Sequence, residues 1–282
     1  MSNYNWGRTK GSKGLIRRLL SPSKIAPLII VVVLISFIGI RVEIDWGKTM
    51  GFIGDTNPFW ILVALISHYI TFLFRGARWR VLLQNTDPLA TQPEKLPSVL
   101  YYGRLILMGW FVNGITWFRL GDAYRAYAYS QDQKRSFPKT MGTILAERLV
   151  DLLVVLLLLA IGGISLYLGG RIQPSPLFLI LGGGISLVGI GGLIAMYFMR
   201  RWISPRLPGS LQRIYEQFHT GTMGSFRNIP LLFLLGIMCW LAEMGRLIFV
   251  LKALNIQLST GMMIFAPMAN GLLSTIPITP GG

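Results

Sequence analysis

The chain has 282 residues, of which 52% are apolar and only 13% charged, against roughly 25% charged residues in a soluble domain. With a mean hydropathy of +0.55, that deficit excludes an ordinary soluble domain and intrinsic disorder alike. The net charge of +16 accompanies long uncharged apolar runs, so it points to basic flanks beside anionic lipid rather than to nucleic acid.

A helix that crosses a bilayer needs about 20 apolar residues. Such runs fall at 25–40, 58–74, 98–118, 140–168, 177–199, 228–251 and 260–278. Residues 1–24 precede the first run with six cations and no acid, the composition of a basic cytoplasmic segment. A basic stretch before an apolar run resembles a signal peptide, but Arg41-Val42-Glu43 follows it instead of a small-residue cleavage site, so the first run is expected to remain as a helix. His68, in the second run, is expected to be a hydrogen-bonded packing residue. The glycine-rich stretch 182–192 lacks the lysine of a phosphate-binding loop and lies inside an apolar run. Its Gly182/Ser186 and Gly191/Ala195 spacings suit close helix packing. The longest polar stretch, 200–227, has room for a surface helix around Leu211–Phe218 and for no soluble domain. One cysteine, Cys239, and two histidines, His68 and His219, exclude a disulfide framework and leave no basis for expecting a metal or another cofactor.

The 27 cations also test topology, because cytoplasmic loops carry the excess of Lys and Arg. If every apolar run crosses, the loops divide 12 against 12. If 98–118 dips in and returns to its own side, they divide 20 inside against 4 outside. Asn113-Gly114 supplies a turn dipeptide for that hairpin, and Asn270-Gly271 interrupts the last apolar run in the same way. Three full spans separate the two, so the second hairpin enters from the opposite face. The expected architecture is an all-α polytopic membrane protein forming a single transmembrane domain. It has about five full spans and two re-entrant helical hairpins in an inverted repeat, with one half over 25–168 and an incomplete second half over 177–282. Transporters use such repeats to place a substrate site where broken helices meet. A kink at each Asn-Gly within an ordinary span is the simpler alternative.

Ionisable groups inside a bilayer are costly and need a reason. Glu147, Arg148 and Asp151 share the start of 140–168, where they read equally as an interfacial anchor or as a site for charged groups. Glu243 and Arg246 lie in the middle of 228–251, either as a functional pair or as a self-neutralising lock between helices. Arg104, in the entering arm of the first hairpin, either snorkels to the surface or binds a lipid phosphate. At the hairpin's exit Arg119 and Arg125 flank Gly121 and Asp122. An arginine fork suits bidentate phosphate contact, and a positive-inside flank is the plainer reading.

The segments RLGDAYRAY (119–127) and ERLVD (147–151), the helix carrying Trp240 and Glu243, and IPITPGG (276–282) together resemble the lysylphosphatidylglycerol synthase transmembrane-region family of flippase-like membrane proteins. The resemblance implies that Gly121, Asp122 and Arg125 form one family element, Glu147, Arg148 and Asp151 a second, and Pro277, Pro280, Gly281 and Gly282 a third. The family's Pro-Gly-Gly run continues into a further helix, so a C-terminal truncation is expected here. Aminoacylating members carry a separate soluble catalytic domain, and 282 residues leave no room for it.

The function expected is therefore translocation of an anionic or glycan-bearing lipid headgroup in the cell membrane, with membrane lipids as partners, no nucleic acid and no cofactor. The alternative is a membrane-embedded transferase that moves a sugar or headgroup from a lipid carrier, for which Glu43 and Asp45 in the 41–57 loop are the nearest candidate carboxylates.

Overall fold

In the computed structural model, residues 45–86, 96–116, 119–170 and 177–274 are described; Glu43, Pro277, Pro280, Gly281, Gly282 and the expected span at 25–40 lie outside them. The described residues are helical, with no strand among them. The described residues 45–56 belong to one unit and those from Asn57 to a second. In the first, α1 (Trp46–Gly54) replaces the loop expected over 41–57. Asp45 starts it, its carbonyl accepting from the Thr49 amide and hydroxyl, both at 2.9 Å.

The second unit holds α2 (Pro58–Thr86), α3 (Val99–Ile115), α4 (Leu120–Asp132), α5 (Phe137–Leu168), α6 (Leu177–Ile203), α7 (Gly209–Gly224), α8 (Ile229–Ala253) and α9 (Thr260–Leu273). Among the described residues, four helices are long and apolar enough to cross a membrane: α2, α5, α8 and the 180–198 part of α6. At a rise of 1.5 Å per residue α2, α5, α8 and the whole of α6 each exceed the ~30 Å hydrocarbon core. The chain is an all-α polytopic membrane protein. The apolar α3 and α9, with 17 and 14 residues, fall short of a comfortable span.

Two boundaries differ from the sequence expectation. The helix beginning at Pro58 does not stop at residue 74 but runs on to Thr86, so Arg75 and Arg78 are buried helix residues rather than loop cations. The 119–139 segment is mostly α4. The expected surface helix in 200–227 is present as α7.

Contacts in reversed order make the neighbours antiparallel. Between α2 and α8, Ser67 Oγ donates to the Ala242 carbonyl at 2.7 Å, and Trp60 stacks on Phe249 at 5.8 Å. Between α3 and α4, Tyr101 OH donates to Asp132 at 2.9 Å, while the Gly121 amide donates to Asn113 Oδ1 at 2.8 Å. These two helices are thus a helical hairpin. Its backbones touch: a Cβ on Gly121 would lie 1.8 Å from the Gly109 carbonyl oxygen. Similar glycine contacts seat α5 on α7, where a Cβ at Gly221 would meet the Lys139 carbonyl at 2.0 Å, and α5 on α9, through Gly162 and Gly261. Small residues let backbones approach where lipid offers no hydrophobic drive to associate.

The hairpin does not turn at Asn113-Gly114. Both residues lie in the last turn of α3, which ends at Ile115 with Thr116 as its C-cap. Asn113 instead clasps the start of α4 through its side chain. Asn270-Gly271 likewise sits inside α9, before its end at Leu273. Gly271 is there for space, since a Cβ would come 2.5 Å from the Trp240 ring.

Candidate functional site

Helix α5 carries three charged residues within five positions, Glu147, Arg148 and Asp151. Glu147 and Asp151, one turn apart, point toward α2, where Arg78 waits with its side chain fully buried. Arg78 Nη1 and Nη2 donate to the two oxygens of Asp151 at 2.7 and 2.9 Å, and Nη2 donates to Glu147 Oε1 at 3.2 Å. This is the bidentate fork that guanidinium geometry favours. Glu147 Oε2 lies 3.0 Å from Arg125 of α4, whose guanidinium is 3.3 Å from Asp122 and stacks 4.9 Å above Trp79. Arg148 closes the circuit by donating to Asp122 at 2.9 Å. Asp122 lies on α4, outside the long apolar helices. Burial pushes its carboxyl up, but the guanidiniums of Arg148, Arg125 and Arg119 outweigh burial and hold it at about 2.

These placements correct two expectations. Glu147, Arg148 and Asp151 are not at the helix's first turns, because α5 begins at Phe137 and its first ten residues precede Glu147. Arg125 is not displayed for a headgroup. It is 1% exposed and bound on three sides.

On one side of this network lies a cavity of about 620 Å³. Both Asn-Gly pairs line it, Asn113 and Gly114 from α3, Asn270 and Gly271 from α9. Arg119 lines it between them and ties the two together, Nη1 donating to the Ser274 carbonyl at 2.7 Å. Arg119 holds φ at 53°, a left-handed conformation that non-glycine residues rarely adopt. Burial and the neighbouring Arg148 pull its guanidinium down to about 10, still charged at neutral pH. From α5 come Arg148 and Asp151, and from α8 come Trp240, Glu243 and Arg246, with Arg246 Nη2 donating to Glu243. Arg75 enters from α2, between Trp110 at 5.0 Å and Trp240 at 5.7 Å, and 3.7 Å from Asp151.

Four guanidiniums and two carboxylates therefore line the cavity, a positive chamber with two indole walls. Several polar atoms around it have no hydrogen-bond partner among the described residues: Trp240 Nε1, Glu243 Oε2, and the Nε of Arg75, Arg119 and Arg246. Such groups ask for water or a polar ligand. Pro267 sits within α9 on the same wall and removes one helical donor there.

Of the residues singled out in the sequence, the cavity gathers Asn113, Gly114, Arg119, Arg148, Asp151, Glu243, Arg246 and Asn270. Gly121, Asp122, Arg125 and Glu147 support it from behind, and Arg104 is exposed on α3 away from it. His68 packs edge-on against Phe72 at 5.3 Å, and its Nδ1 has no hydrogen-bond partner among the described residues. Arg75, Arg78 and Trp110 were not anticipated. The arginines' spacing of three inside a continuing apolar pattern, with Trp79, Leu82 and Leu83 after them, is the signal that marks them as helix-buried. No group of three or more potential metal ligands occurs among the described residues.

Comparison with known proteins places the chain among membrane proteins. The lysylphosphatidylglycerol synthase TM region profile matches residues 24–282. A UPF0104 membrane protein of Methanocaldococcus jannaschii is 28% identical over 61% of this chain and 74% of its own length. Another, from Methanothermobacter thermautotrophicus, is 26% identical over 79% of this chain and 69% of its own length. The glycosyltransferase AglD of Haloferax volcanii is 21% identical over 85% of this chain, a match that spans 43% of that enzyme. No solved structure matches.

Proposed function

The chain belongs to the lysylphosphatidylglycerol synthase TM region family, and on that premise we propose that it moves a lipid with an anionic or glycan-bearing headgroup between the leaflets of the cell membrane. The observation that carries the reading is the positive cavity bounded by the ends of α3 and α9. Irregular backbone and ionised side chains are tolerated at membrane depth where they are buried in protein or face a water-filled space. A chamber that gathers both gives a headgroup a polar path while its acyl chains stay in lipid. Its cation excess suits a phosphate, and the indoles of Trp110 and Trp240 offer faces on which a sugar ring stacks. In this reading the α3–α4 hairpin and α9 are re-entrant elements of an inverted repeat. The basic segments 1–24 and 200–227, and the turn 133–136 after α4, then lie in the cytoplasm.

The test is lipid movement by the purified full chain in vesicles holding a fluorescent anionic phospholipid, with no donor substrate added. Faster exchange than in protein-free vesicles is expected, and Arg119→Lys, which keeps the charge but loses the fork, should slow it. A wild-type protein that moves no lipid overturns the proposal. The similarity to AglD favours, as a second reading, a transferase acting on a lipid-linked sugar. Group transfer that requires an added lipid-linked donor, without scrambling, would select it.

A further inference from the structure

The end of α6 and the start of α7 form an elbow that the cavity does not use. The last turn of α6 brings Arg200, Arg201 and Trp202, a 3-10 turn (Ser204–Arg206) follows, and α7 adds Arg213. All four arginines are exposed. Over 200–227 five arginines face a single acid, Glu216, and that acid is engaged by the Ser204 hydroxyl at 2.7 Å. A second hollow, about 530 Å³, opens here between Phe198, Trp202, Ile203, Arg206 and Leu207. It is apolar on every side but one. The exception is Arg206, fixed in place by donating from Nη1 to the Trp202 carbonyl at 2.6 Å and by lying 5.5 Å over the Trp202 ring.

The surface around the hollow continues the same chemistry. Phe198 and Trp202 are 68% and 67% exposed, and Leu211 and Ile214 of α7 stand half exposed beside Arg213. Exposed aromatic and aliphatic groups flanked by arginines with no acidic partner among the described residues describe a helix lying in a membrane interface. Tryptophan belongs at headgroup level. Here α7 continues from α6, a helix long enough to span, so the elbow falls where that helix meets the headgroups.

We propose that this elbow is a binding site for an anionic phospholipid. The phosphate sits on Arg206 with Arg200 and Arg201 beside it, and an acyl chain lies in the hollow along Phe198, Ile203 and Leu207. Charge selects the occupant. Four arginines at the elbow, Arg200, Arg201, Arg206 and Arg213, favour an anionic headgroup over a zwitterionic one, and Arg206 keeps guanidinium donors for a phosphate after its bond to the Trp202 carbonyl. The site is independent of the translocation reading, because none of its residues lines the large cavity.

Native mass spectrometry of the detergent-purified full chain, with added phosphatidylglycerol or phosphatidylcholine, measures the site directly. Phosphatidylglycerol adducts should dominate and weaken with salt. Arg206→Gln should lower phosphatidylglycerol occupancy about tenfold, the worth of one charge-assisted contact. Arg227→Gln removes an equal charge beyond the far end of α7, some 24 Å of helix away, and should leave occupancy unchanged. Equal retention of both lipids overturns the site. So does an equal loss in the two variants, which would make the binding diffuse charge. A change of subunit number in Arg206→Gln at unchanged lipid occupancy would reassign the elbow to a contact between copies and overturn it too. Each variant's folded state is checked by the melting temperature of its protected Cys239 thiol, which is buried in wild type.

Discussion

Arg78→Leu tests whether the charge network holds α2 to α5. Arg78 makes three charge-assisted bonds, two to Asp151 and one to Glu147, with no exposed surface. Removing it strands two carboxylates, though unequally. Glu147 retains Arg125 at 3.0 Å, while Asp151 retains only Arg75 at 3.7 Å and Arg148 at 3.9 Å. Breaking a buried pair from one side costs about 3–5 kcal/mol, and these residual contacts put the expected loss toward the lower end of that range. Arg78→Leu combined with Asp151→Leu removes both the charge and its orphan, and replacing a buried pair by apolar groups is often neutral. The double variant should therefore recover at least ~1.5 kcal/mol relative to additivity. Cys239 gives the assay, since it is buried and is the chain's sole cysteine. A thiol-reactive dye reports unfolding in detergent as that thiol becomes exposed. A single variant that melts like wild type, or a double variant whose loss is the sum of the two singles, would refute the pairing as a stabilising element.

Gly121→Ala should destabilise by at least ~1–3 kcal/mol, the usual cost of overpacking, because its Cβ would meet the Gly109 carbonyl at 1.8 Å; Gly183→Ala, with open space around it, serves as the neutral comparison in the same dye assay. Asp122, held at about 2 against an ordinary 3.8, contributes stability that is complete above pH ~4 and lost as pH falls through 2. An Asp122→Asn variant should therefore lose that low-pH slope while melting curves between pH 5 and 8 keep a constant offset from wild type. In intact cells, Asp132→Cys and Thr220→Cys in a Cys239→Ser background should both resist a membrane-impermeant thiol reagent. Labelling at 132 but not at 220 would rule out the hairpin topology.

Composition and the positions of the long apolar runs made the helical membrane fold legible, because spanning a bilayer demands length and apolarity that nothing else in a sequence imitates. Helix ends were less legible. A charge normally marks the end of a span, so Arg75 reads as a boundary. In the structure its acidic partner, Asp151, is on α5, seventy-six residues away; the continuing apolar pattern signals that the helix goes on, but not which distant acid compensates the charge. The same blindness placed Arg125 at a surface when Glu147 was its partner. The two Asn-Gly pairs did mark the ends that line the cavity, but through a different property from the one expected. Asn113 supplies an acceptor and Gly271 supplies space, whereas a turn dipeptide is recognised by its backbone alone.

The division of the charge network between α2 and α5 has a consequence for how the protein is made. Synthesis delivers α2, with Arg75 and Arg78 in its length, before any residue of α5 exists. Each uncompensated cation at membrane depth costs at least about 2.5–3.5 kcal/mol on insertion scales, and the acids that cancel it arrive only with Glu147 and Asp151. The intervening α3–α4 hairpin brings just one carboxylate to the site, Asp122, and two more guanidiniums, Arg119 and Arg125. Insertion energetics therefore favour holding the arginine end of α2 in water or against protein until α5 emerges, so that the two helices enter lipid as a neutralised pair rather than one after the other.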